Sequence, residues 1–379
     1  MRKIVATGAA FLALTSPILA QEAKPIEPET LGVEKAIKPG PNVFTLDQSW
    51  DGSSKINVLG ADDLSIKGNI GVGLIGQMVL SADGSRLYTS SVYAKRITYG
   101  PQEAIVHEWD VATLSPLREF NVSEKMAMVE PQPVMLALAD AEKYLLVQDA
   151  TPATSINVID LAKGAPIAEI PTPGCWGAIP TTGTSFLTVC GDGSMKTFSF
   201  AADGSFGAPK SGAGIFDADA DALFTNPARV GDDFYFASFK GNLYHVTVKD
   251  GVPALADKFS LVTGSEGWAP GGSEVITYHA GTGIAFVLMH SGAAEGSHKN
   301  AAEEIWAVDL KTKEVLYRSV AHHENSLTVS KSSPPVLFGT TEEGELNRYE
   351  VHPEARSAAK FAGSIEEMGT FLGLVLTSQ

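Results

Sequence analysis

Ile156-Asn157-Val158-Ile159-Asp160 is a short apolar run closed by an aspartate, and its form recurs along the chain. Upstream it appears as Ile56-Asn57-Val58-Leu59-Gly60-Ala61-Asp62 and Val106-His107-Glu108-Trp109-Asp110. Downstream it returns as Met195-Lys196-Thr197-Phe198-Ser199-Phe200 and Leu243-Tyr244-His245-Val246-Thr247-Val248, then as Ile305-Trp306-Ala307-Val308-Asp309 and Leu346-Asn347-Arg348-Tyr349-Glu350-Val351. The seven copies start at 56, 106, 156, 195, 243, 305 and 346, so neighbours lie 39 to 62 residues apart. That period, roughly 40 to 50 residues, is the one a four-stranded blade requires. A second apolar strand precedes several copies, as in Leu87-Tyr88-Thr89-Ser90, Tyr144-Leu145-Leu146-Val147, Phe234-Tyr235-Phe236-Ala237 and Ile284-Ala285-Phe286-Val287-Leu288. Asp83-Gly84, Asp203-Gly204 and Asp250-Gly251 fall between strands, where tight turns need residues that tolerate positive φ. The first copy lacks an inner strand upstream, whereas Phe371-Leu372-Gly373-Leu374-Val375-Leu376 is one strand too many at the far end. Pairing the two would close a ring and remove its exposed edge. The expectation is an all-β, seven-bladed β-propeller over 42–379, closed by its N- and C-terminal strands.

Composition agrees with a single large core: 379 residues, 44% hydrophobic and 19% charged, with 37 glycines and 21 prolines marking turns. Lys+Arg 28 against Asp+Glu 44 gives a net charge of -16, which argues against nucleic acid or an anionic membrane as partner. Arg2 and Lys3, the apolar run Ile4 to Leu14, Pro17 and the small Ala20 read as a cleaved secretory signal over 1–20. The run is well short of the roughly 18 to 20 residues needed to span a bilayer. Removing 1–20 leaves 359 residues carrying -18, with 21–41 as an N-terminal extension, and places the product in the periplasm. In an oxidising compartment Cys175 and Cys190, which flank a hairpin-like stretch, read as a disulfide. A loop of about 15 residues gives such a bridge roughly 3 kcal/mol.

The residues offer little self-contained chemistry. His279, His290 and His298 have no metal-ligand spacing. Asp217-Ala218-Asp219-Ala220-Asp221 imitates the start of a calcium loop, but Ala222 and Ala228 stand where that loop needs Gly and Glu, so a surface acidic loop is expected. A nucleophile elbow and a phosphate-binding glycine loop are both missing. No catalytic residue, metal ligand or cofactor-binding residue is assigned to this chain.

Five groups of residues supply what spacing cannot. They are Tyr93-Ala94-Lys95-Arg96-Ile97-Thr98-Tyr99-Gly100, Ala150-Thr151-Pro152-Ala153-Thr154-Ser155, and Gly174-Cys175-Trp176 through Val189-Cys190-Gly191-Asp192-Gly193. The others are Gly267-Trp268-Ala269-Pro270-Gly271-Gly272 and Glu295-Gly296-Ser297-His298-Lys299 with Glu304-Ile305-Trp306. In this order they resemble the heavy subunit of periplasmic quinoprotein amine dehydrogenases, with the likeness closer to the aromatic amine than to the methylamine enzymes. The resemblance implies an α2β2 assembly with a small cysteine-rich light subunit that carries tryptophan tryptophylquinone and the catalytic base. It implies oxidative deamination of primary amines to aldehyde and ammonia, and electron transfer to a blue copper protein of the azurin or amicyanin kind. It also places a phenylalanine on the substrate channel, at a position matched here by Leu74. This chain is too long and too poor in cysteine to be the light subunit, and its five tryptophans read as packing residues. The alternatives are a stand-alone propeller enzyme, lactonase-like, and a non-catalytic periplasmic binding propeller.

Overall fold

The computed structural model describes residue 32, residues 34–97 and residues 99–378. The chain divides into two units, 1–35 and 36–379, and the expected signal segment lies outside the described residues. In the second unit the strands form seven antiparallel sheets, joined by turns and by short 3-10 segments. Each sheet is one blade of a propeller. From the axis outward, blade 1 is Leu372–Thr377, Asn42–Asp47, Ser54–Gly60 and Ile66–Val72. Blade 2 is Leu74–Leu80, Arg86–Ala94, Gln102–Asp110 and Ser115–Asn121, and blade 3 runs from Leu136–Ala139 to Ala165–Pro171. Blade 4 spans Cys175–Pro180 to Lys210–Gly212, blade 5 Ala228–Val230 to Val252–Ser260, and blade 7 Glu324–Val329 to Ala358–Ile365. Blade 6 starts with two short segments, Trp268–Pro270 and Ile276–His279, which both pair with Ile284–Ser291.

All seven sequence repeats are the third strand of their blade. These strands read as nearly continuous apolar runs because neighbouring blades cover both of their faces. Ile56 and Val58 pack with Met78, Leu87 and Trp109 of blade 2, whereas Leu59 packs with Phe338 and Leu346 of blade 7. Full burial of one such side chain stabilises by about 1.5–3 kcal/mol. The outermost strands have no such cover, and Ser115–Asn121 buries Phe120 alone. The repeat's polar position is satisfied rather than exposed. Asn157 donates to Asp149, Tyr244 to Asp221 and Asn347 to Glu324, while Asn57 donates to the Met368 carbonyl.

Ring closure follows the expected pairing, with Val43 opposite Thr377 and Leu46 opposite Leu374. Part of the N-terminal extension is anchored as well: Ile37 donates its backbone N–H to the Ala112 carbonyl and packs against the blade 1–blade 2 core. Asp250-Gly251 forms the two-residue turn between Asn242–Lys249 and Val252–Ser260, with φ of 51° and 75°. Among the described residues no helix is long and apolar enough to cross a membrane.

Candidate functional site

Because each innermost strand leads away from the same end of the ring, two sets of connections share one face of the propeller. One set joins second to third strands within a blade; the other joins one blade's outermost strand to the next blade's innermost strand. At the centre of this face a cavity of about 380 Å³ is walled by residues from five blades, among them Glu130, Asn226, Phe239, His298, Asn325 and Phe371. A second cavity of about 200 Å³, lined by Val134, Ala178, Ile179 and Glu274, shares Asn226 with the first. Polar side chains near the inner ends of the blades join one blade to another around the ring. Gln48 Nε2 donates to the Val129 carbonyl at 3.0 Å, Gln132 N–H to Gln77 Oε1 at 3.0 Å, and Trp176 Nε1 to Gln132 Oε1 at 3.0 Å.

Glu274 is 7% exposed and accepts a hydrogen bond from Asn226 Nδ2 at 2.8 Å. Burial, with the nearby Glu130 carboxylate adding to it, raises its acid well above the usual carboxylate range. Ser273 donates its hydroxyl to Glu130, and the Asn325 carbonyl accepts from the backbone of both Ser273 and Glu274. His298 stacks on Phe239 at 4.1 Å, and Phe239 meets Phe224 at 4.8 Å. Burial, assisted by Lys299, holds the His298 imidazole below its usual range, so it is neutral at pH 7.

The residues singled out in the sequence are distributed as follows. Cys175 and Cys190 are disulfide-bonded, at the start of the first and the end of the second strand of blade 4. Leu74 opens the innermost strand of blade 2 beside the 48–53 connection, where the Ser49 carbonyl accepts from Ile75 N–H. Its side chain is 6% exposed and belongs to the core of blades 2 and 3, with Val92, Leu136 and Leu145. His279 and His290 are buried, and His298 is the member of that trio that reaches the axial cavity. The acidic loop differs from expectation at one position: Asp221 is 6% exposed and accepts from Asn242 and Tyr244. Trp268 and Trp306 stack on the Arg318 guanidinium at 4.4 and 4.5 Å. Among the described residues no group of three or more His, Cys, Asp and Glu could hold a metal ion.

The five segments that carry the resemblance share the face with the axial cavity. Residues around Ile97 and Tyr99 form the second-to-third connection of blade 2, 150–154 that of blade 3, 191–194 that of blade 4 and 292–303 that of blade 6. Gly174 and Gly267 directly precede the innermost strands of blades 4 and 6. Three large apolar side chains are bare here: Ile97 is 83% exposed, Tyr99 65% and Trp50 53%.

A family model described as methylamine dehydrogenase heavy chain matches residues 43–378. The methylamine dehydrogenase heavy chain of Methylobacillus flagellatus is 25% identical over 341 residues, covering 88% of this chain and 80% of the relative. That of Methylorubrum extorquens is 26% identical over 345 residues, with 89% and 82% covered. Among solved structures, a putative 6-phosphogluconolactonase from Bacteroides fragilis superposes with a TM-score of 0.60 at 13% identity, over 93% of this chain and 99% of the other. At that identity the likeness is one of fold alone.

Proposed function

This chain belongs to the methylamine dehydrogenase heavy chain family, and from that premise we propose that it is the heavy subunit of a periplasmic, quinone-dependent amine dehydrogenase. The partner in this reading is a small cysteine-rich light subunit, joined in an α2β2 assembly, that carries tryptophan tryptophylquinone. The quinone supplies the electron sink for deaminating a primary amine to aldehyde and ammonia, and a blue copper protein takes the electrons away. The observation that carries the reading is the clustering of all five resemblance segments on one face of the ring, together with bare Ile97, Tyr99 and Trp50. A propeller that only folded would have no reason to concentrate them there, whereas a large exposed apolar set marks a docking surface.

Three of the five tryptophans of this chain are packing residues as expected, whereas Trp50 is exposed. Trp109 donates to Thr89 Oγ1, Trp176 to Gln132, and Trp306 to Glu304, so each indole N–H serves packing within or between blades. This chain's contribution to the reaction is therefore to bind the partner, exclude water and wall the approach of the amine. Leu74, at the docking face, is proposed as the channel residue of that wall.

Purifying the protein from periplasm and analysing the co-purifying small chain by mass spectrometry tests the assignment. Crosslinked tryptophans in that chain are expected. A homogeneous single chain that oxidises amines unaided would overturn it.

A further inference from the structure

Beyond Asn226 the smaller axial cavity, of about 200 Å³, differs in make-up from its neighbour. Val134, Ala137, Ala178, Ile179 and Phe234 give it an apolar wall, built by blades 3 to 5 and the turn into blade 3. The wall continues to Pro180, the last residue of the innermost strand of blade 4, and to the exposed Arg229 of blade 5. The cavity therefore opens away from the face that carries the larger one. Arg229 brings no free charge to it, because its guanidinium donates to the Pro180 and Gly231 carbonyls, each at 2.9 Å, and faces Asp232. One polar atom is left over. Glu274 Oε1 accepts from Asn226, but Oε2 has no partner and keeps accessible surface, and Glu274 lines this cavity and not the larger one. Burial keeps the acid protonated, and with Oε1 accepting, the proton sits on Oε2 and gives the apolar space a hydrogen-bond donor. A water there would need about two to four polar partners, which the wall does not bring together. An uncharged organic molecule needs one acceptor and a body that fills the rest.

We infer that this cavity binds a small uncharged carbonyl compound, its oxygen on Glu274 Oε2 and its hydrocarbon part against Val134, Ile179 and Phe234. Size fits the class: a dry apolar cavity of about 150 Å³ holds benzene, so one of about 200 Å³ admits a six-membered ring with a short carbonyl substituent. An anion would enter an apolar wall without a counter-charge, since Arg229 is already committed. The site needs neither the light subunit nor the quinone, so it stands or falls independently of the amine dehydrogenase reading.

Titration calorimetry on the full chain with acetophenone tests the inference, with toluene as a body without the acceptor and benzoate as a charged counterpart. One site per chain is expected for acetophenone, with toluene at least about tenfold weaker and benzoate silent. Glu274→Gln keeps a donor in the same place and should hold acetophenone within about threefold of the parent. Glu274→Leu removes the donor and should weaken acetophenone at least about tenfold while leaving toluene unchanged. The three ligands decide the matter on the parent chain alone if either variant fails to fold. No binding of acetophenone, toluene or benzoate binding as tightly, a tenfold loss in Glu274→Gln, or unchanged acetophenone affinity in Glu274→Leu would each overturn the site.

Discussion

At the scale of single residues, Asp149, which accepts from Asn157 of the repeat, shows how a buried acid shapes stability. Its side chain is fully buried, with Oδ2 accepting from Ser155 and Asn157 and Oδ1 left without a partner. Burial pushes its acid up to about 6, the neighbouring Glu169 carboxylate acts in the same direction, and the Ser155 hydrogen bond and Lys125 oppose it. The folded chain thus keeps a proton that the unfolded chain, titrating near 3.8, has lost. Stability therefore falls as pH rises from about 4 to about 6 and is level above, a change of up to about 3 kcal/mol. Asp149→Asn cannot titrate, so its stability relative to the parent should improve across that window. Urea midpoints at pH 4 and pH 7 measure this, and a difference that stays constant would count against the buried acid. Leu74 is a second residue-scale case. Leu74→Phe should cost about 1–3 kcal/mol through overpacking of its buried site. In the assembled enzyme it should also change the ratio of kcat/KM between small and aromatic amines. A stability loss with an unchanged ratio would leave Leu74 a packing residue and nothing more.

At the scale of elements, what could be read from the sequence depended on burial on both faces. The third strands were legible because their neighbours bury Ile56, Val58, Ile156 and Val158 completely. The innermost strands of blades 5 and 6 were not, because Ala228–Val230 and Trp268–Pro270 hold three residues each, too few to show a strand's alternation. The axial residues Glu130, Asn226, Glu274 and Asn325 were equally hidden. They are single polar residues spread over nearly 200 positions, and only ring closure brings them together. One signal was available: Glu274 stands between Gly271-Gly272 and Val275-Ile276, a carboxylate at the threshold of a buried strand. The disulfide was legible for the opposite reason, since Cys175 and Cys190 lie in adjacent strands of one blade, directly opposite each other. Holding the start of the first strand of blade 4 to the end of its second, on the face that carries the axial cavity, the bridge should contribute about 2–4 kcal/mol. Replacing both cysteines by serine and comparing urea midpoints with the parent measures it; equal midpoints would show that the hairpin stands without it.

At the scale of the whole molecule, the C-terminal strand decides whether seven blades act as one body. Leu372–Thr377 is the innermost strand of blade 1, and Leu372, Leu374 and Val375 are buried between blades 1, 2 and 7. Without it, Asn42–Asp47 would present an unpaired, flat and apolar edge, the kind of surface that recruits other chains. Ser326 of blade 7 also donates its hydroxyl to the Gly373 carbonyl at 3.0 Å, so the strand ties the last blade to the first. Deleting 372–379 should therefore do more than remove local contacts. The single cooperative unfolding transition should broaden or split, and the chain should aggregate where the parent stays dispersed. A synthetic peptide of the deleted sequence, added in trans, should restore both properties, because main-chain hydrogen bonding to an open edge does not require a covalent link. Calorimetry and light scattering with and without the peptide read the outcome. A truncated chain that unfolds in one sharp transition at the parent's temperature would mean that the blades are held together without the closing strand.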